Sequence, residues 1–141
     1  MSLIRYEDEI YDLLTREFDL NTEVKNDDDR VILRANCSMD ALDDEDILLS
    51  VTVFDNEEAF VTFTLDKLYE DEESLELINN LNREQKVFQA CIDDEGYVVL
   101  SHYLYNAGGA SSFANTVKFC LNKFVSDTVL ELLQPICELT E

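Results

Sequence analysis

The 141-residue chain has no tryptophan, one histidine, one proline and three glycines, and only 10 Lys and Arg against 32 Asp and Glu. Each scarcity excludes something. Nucleic-acid binding draws on clustered Lys and Arg to neutralise phosphates, so no nucleic-acid partner is expected. No apolar run approaches the ~18 to 20 residues of a membrane span, so no membrane partner is expected. The first nine residues turn acidic without an apolar stretch, so no secretory signal is expected. Pro135, Gly96, Gly108 and Gly109 make no linker, and a single domain over residues 1–141 is the expectation.

What is present is a core's worth of apolar residues, 46% of the chain with eight Phe and six Tyr, beneath a formal net charge of −22. That apolar content offsets the ordering entropy that keeps a polar polyelectrolyte disordered, so the acids belong on a folded surface. They are spread unevenly: residues 1–80 hold 24 acids and 6 bases (−18), residues 81–141 hold 8 acids and 4 bases (−4). Cys37, Cys91, Cys120 and Cys137 are 54, 29 and 17 residues apart, without paired spacing. They read as four free, buried thiols of a reducing cytoplasm.

The hydrophobic period sets the order of elements. Ile4, Ile10, Leu13, Leu14 and Phe18 have helical spacing, which predicts an amphipathic first helix over residues 4–18. Asn21 to Asp29 reads as a turn with room for one short strand around Val24. Alternation then predicts three strands: Val31 to Cys37, Ile47 to Val53 after the turn cluster Asp40 to Asp46, and Ala59 to Leu65 after a hairpin at Asp55 to Glu58. Leu75, Ile78 and Leu81 predict a short helix over 71–82, followed by a second hairpin, Val87 to Ile92 and Tyr97 to Tyr105, turned at Gly96. Ser111 or Ser112 is a plausible cap for one long helix carrying Phe113, Val117, Cys120, Leu121, Phe124, Thr128, Leu132 and Ile136 on one face, with Pro135 breaking or kinking it. The expected class is α+β, a five-stranded, largely antiparallel sheet with helices packed on it.

This order of elements, together with Leu77-Ile78-Asn79-Asn80-Leu81-Asn82-Arg83 closing the middle helix and the hairpin directly after it, resembles the YbjN family. The domain of that family is similar to the fold of type III secretion chaperones. The resemblance covers roughly residues 5–139. It implies a small acidic protein that binds other proteins, often as a dimer, with no catalytic residues. Where a proline often leads into the middle helix of that family, this chain has Leu68-Tyr69-Glu70-Asp71-Glu72.

Constellations that carry chemistry are sparse. Neither Asp27-Asp28-Asp29 nor Asp43-Asp44-Glu45-Asp46 is followed by the glycine and glutamate of a calcium loop, and Gly108-Gly109 lacks the Lys-Ser/Thr of a phosphate loop. No metal, cofactor or catalytic residue is assigned. His102 alternates in phase with Val98, Leu100 and Leu104 and reads as a hydrogen-bonded residue of a mostly apolar strand face, although Cys91 on the neighbouring strand is in reach by topology. The least ordinary feature is the sheet face opposite the core. Phe60, Tyr97, Val99, Tyr103 and Tyr105 are assigned to it as partner-binding residues, alongside Ile32, Leu48, Phe54 and Val87. Either a helix covers this face within the monomer, or it meets a partner or a second copy.

Three functions compete. The leading one is a non-enzymatic, chaperone-like or regulatory module that binds a protein with basic or amphipathic segments and forms a homodimer through its less charged second half. The second is an acidic mimic of nucleic acid that fills the basic groove of a DNA-binding protein. The third is a small hydrolase using His102.

Overall fold

The computed structural model describes residues 3–39, 42, 45–68 and 71–139. In chain order these form α1 (Leu3–Asp12), a π-helical turn (Leu13–Glu17), β1 (Thr22–Asp27), β2 (Arg30–Met39), β3 (Glu45–Phe54), β4 (Ala59–Lys67), α2 (Glu72–Glu84), β5 (Gln89–Ile92), β6 (Tyr97–Leu104), α3 (Ala110–Phe124) and α4 (Asp127–Leu139). The fold is α+β. One antiparallel sheet runs β1-β2-β3-β4-β6-β5, with the helices on one face. The turn cluster Asp40 to Asp46 falls largely outside the described residues.

Alternation places one side of every central strand in the core. Val31, Leu33, Ile47, Leu49, Val51, Val53, Val61, Phe63, Val98 and Leu100 are buried and meet Ile10, Leu14, Phe113, Val117, Leu133 and Ile136 from the helices. Phe63 stacks on Phe124 at 4.0 Å, and Phe88 closes edge-on against Phe63 at 5.6 Å. Asp71 caps α2, its carboxylate accepting from the Ser74 amide at 2.9 Å.

Two local expectations are corrected here, the strand count and the place of Ile4. The sheet has six strands, not five: the short strand for which the turn around Val24 left room is β1, an edge strand so exposed that no alternation of burial marks it. Ile4 points outward, 67% exposed, and Tyr6 takes its place in the core, its hydroxyl donating to the Gly108 carbonyl and its ring edge-on to Phe113. The π turn shifts the phase so that both Leu13 and Leu14 are buried. Asp19 at φ +53 then closes the helix, in the left-handed position a glycine usually fills.

The long C-terminal helix is two helices. Both the amide and the hydroxyl of Ser126 bond the Lys123 carbonyl, at 3.1 and 2.6 Å, and so end α3. The two-residue joint advances the buried phase by one, from Thr128 and Leu132 to Val129 and Leu133. Pro135 does not end α4, which continues to Leu139. Proline has no amide hydrogen to donate to the Glu131 carbonyl, and both residues are exposed, so no buried group is left unmet. The cap of α3 is Gly109, with no side-chain bond, while Ser111 and Ser112 already lie in its first turn.

Candidate functional site

The other side of the sheet is covered by no described element. Its residues are the alternates of the core positions, and the strand registers arrange them in rows across the sheet. One row runs Lys25, Ile32, Thr52, Phe60, Tyr103; the next runs Glu23, Arg34, Ser50, Thr62, Ser101, Gln89; a third runs Asn36, Leu48, Thr64, Val99, Cys91.

The first row and its neighbours form an aromatic ladder. Phe60 and Tyr103, directly opposed on β4 and β6, have ring centroids 5.0 Å apart. Phe54 meets Phe60 edge-on at 6.0 Å, and the Arg30 guanidinium lies 4.9 Å above the Phe54 ring. Arg30 is held over the ring by the Asp29 carboxylate, at 3.1 and 3.2 Å, which keeps Asp29 below the ordinary carboxylate range. Partial desolvation, then a hydrogen bond with Glu58, then the negative charge of Glu58, raise the Tyr103 hydroxyl above its ordinary pKa, so it stays a neutral donor.

Of the residues assigned from sequence, Phe60, Tyr97, Val99 and Tyr103 lie on this face, but not as one surface. The Ser50, Thr62, Ser101 row separates Phe60 and Tyr103 from Val99 and Tyr97. Tyr97 lies six residues, or about 20 Å, along β6 from Tyr103. A bulge between Thr64 and Lys67 sets Lys67 opposite Tyr97, with its ammonium 5.3 Å from the ring. Tyr105, 81% exposed, lies one residue beyond the end of β6. Val87 is not on this face: it precedes β5 and packs toward the core. The sequence reading missed Arg30 and Glu58, which frame the ladder. The short turns that join their strands held the signal, because they determine the register.

His102 lies on the helix side of β6, and its Nδ1 donates to the Val87 carbonyl at 2.7 Å. Cys91 pairs with Val99 on the opposite side of the sheet, so the two are not brought together. Cys91 is exposed, which corrects the expectation of four buried thiols; Cys120 is buried and its thiol is pushed up to about 12 by desolvation. None of the four cysteines is in a disulfide. Among the described residues no three His, Cys, Asp or Glu side chains converge as a metal site requires, and no helix is long and apolar enough to cross a membrane. No family model matches the chain, and no curated protein matches it.

Proposed function

We propose that this chain is a non-enzymatic, protein-binding module, chaperone-like or regulatory, whose uncovered sheet face takes a segment of a partner that carries apolar side chains flanked by basic ones. One observation carries the reading: a packed aromatic ladder, Phe54, Phe60 and Tyr103, lies on a sheet face that none of the four helices covers. Rings of this kind supply affinity from the centre of a contact, while the net charge of −22 steers basic partners toward it. The resemblance to the YbjN family points the same way, and cysteines without disulfides suit a reducing cytoplasm. The mimic reading needs a continuous acidic band, whereas this face interleaves Lys25, Arg30, Arg34 and Lys67 with its acids.

Because the chain has no tryptophan, a synthetic basic amphipathic peptide with one tryptophan is a clean optical probe. Its emission should shift on titration with the protein. The Phe60→Ser, Tyr103→Ser double variant should weaken binding at least tenfold, about 1.4 kcal/mol, with its thermal melt retained. Equal binding by the double variant, or affinity that follows salt alone, rejects the ladder as the contact.

A further inference from the structure

The sheet has two outer edges, and they are finished differently. On β5 the edge is closed by α2. The Asn82 amide accepts from Ala90 N at 2.7 Å and donates to Ala90 O at 2.9 Å. The Gln85 amide, three residues on, accepts from Phe88 N at 2.8 Å and donates to Phe88 O at 2.6 Å. Each side chain reproduces the paired bonds of a neighbouring strand, so this edge is already occupied at Phe88 and Ala90.

On β1 no such closure exists among the described residues. The two-residue turn Asp28-Asp29 makes Asp27 and Arg30 the closing hydrogen-bonded pair. By alternation the peptide groups of Asp27, Lys25 and Glu23 face β2, and those of Asn26, Val24 and Thr22 face outward. Among the described residues no hydrogen bond reaches these outward groups. Val24, on the helix side of the sheet, is 38% exposed.

We propose that two copies of this chain pair antiparallel through β1, about a two-fold axis at Val24. In this register Val24 faces the partner's Val24 and Thr22 faces the partner's Asn26, so every outward N–H and C=O of the three residues is used. Glu23 then lies opposite the partner's Lys25 on the uncovered face, at the ~4.5 to 5.5 Å spacing where opposite charges attract. The two neighbouring registers that also match outward groups set Glu23 against Glu23 or Lys25 against Lys25. The charge pattern therefore selects one register of an isologous contact. The joined sheet makes the two aromatic faces continuous. It also moves the dimer contact from the second half of the chain, whose outer strand is the capped one, to the first.

Sedimentation and light scattering at about 0.15 M salt test this, with repulsion between the acidic surfaces screened beyond ~8 Å. The wild type is expected to dimerise with rising concentration. Val24→Pro should be monomeric with an unchanged melt, because the lost N–H faces away from β2. Lys25→Glu and Glu23→Lys should each be monomeric, yet their equimolar mixture should dimerise, since both opposed pairs become complementary again. Glu23→Lys reduces the net negative charge, so bulk repulsion alone would strengthen its dimer; the proposed register requires loss. A wild type that stays monomeric, a dimer that survives Val24→Pro, a Glu23→Lys dimer tighter than wild type, or a mixture that stays monomeric overturns the proposal.

Discussion

Replacing Asn82 by alanine removes both bonds to Ala90 and leaves a peptide group of an almost fully buried residue without partners. Each bond contributes about 0.5 to 1.5 kcal/mol net, and an unmet buried group costs about 1 to 3 kcal/mol. Water entering the sheet edge relieves part of that, so the expected loss is about 2 kcal/mol. For a chain of this size that lowers Tm by about 4 to 8 °C. Asn79→Ala, an exposed site on the same helix, is the control and should change stability by less than about 0.5 kcal/mol. Asn82→Asp separates geometry from shape: the new carboxylate still accepts from Ala90 N but faces the Ala90 carbonyl without a proton to donate. That raises the folded-state pKa of the introduced acid above its unfolded value of about 3.9. Its penalty is therefore absent below that value and grows as pH rises through the folded pKa. Thermal melts across pH, with hydrogen exchange at the Ala90 amide, report both effects. If Asn82→Ala melts with Asn79→Ala and Ala90 exchange is unchanged, the edge is not held by this side chain.

Leu100, fully buried in the centre of the sheet, should cost about 2 to 5 kcal/mol as Leu100→Ala, whereas Tyr103→Ser with Tyr105→Ser should leave the melt nearly unchanged; the reverse order would place the core on the other face. Cys120 keeps its proton to about 12 in the folded state and releases it near 9 when unfolded, so folding holds more protons between those values and stability falls as pH rises from about 9 to 12; Cys120→Val should flatten that fall in alkaline melts. In native protein a thiol reagent should modify Cys91 first and Cys120 only on denaturation, and simultaneous reaction of the two would contradict the assigned burial.

The fold class was legible because buried strands announce themselves through strict alternation, as Val31-Leu33-Ala35 and Ala59-Val61-Phe63 do. β1 was legible only as room for a short strand around Val24, because an edge strand with one paired side buries almost nothing and Glu23, Lys25 and Asp27 carry no hydrophobic period. The joint at Val125-Ser126 was hidden for a different reason: apolar residues stand on both sides of it, so Leu132 and Leu133 each offer a continuous stripe, and only the Ser126 bonds to Lys123 decide between them. The partner face was found through parity, yet parity orders residues along one strand and says nothing of which rows line up. Register made Phe60 and Tyr103 neighbours and left Tyr97 beyond a band of hydroxyls. The stretch Asn79 to Arg83, which carries the family resemblance, has a physical role at Asn82 that only the placement of α2 beside β5 reveals.

Site-specific photo-crosslinking in cells that express the protein tests the protein-binding face most directly. A photoreactive phenylalanine analogue is placed in turn at Tyr103, at Val99 and at Phe119, an exposed ring on the helix side. If the uncovered sheet face binds the partner, adducts to a common protein form from Tyr103 and Val99 and none from Phe119. Adducts from Phe119 with none from the sheet positions would contradict it and move the binding surface to the helices.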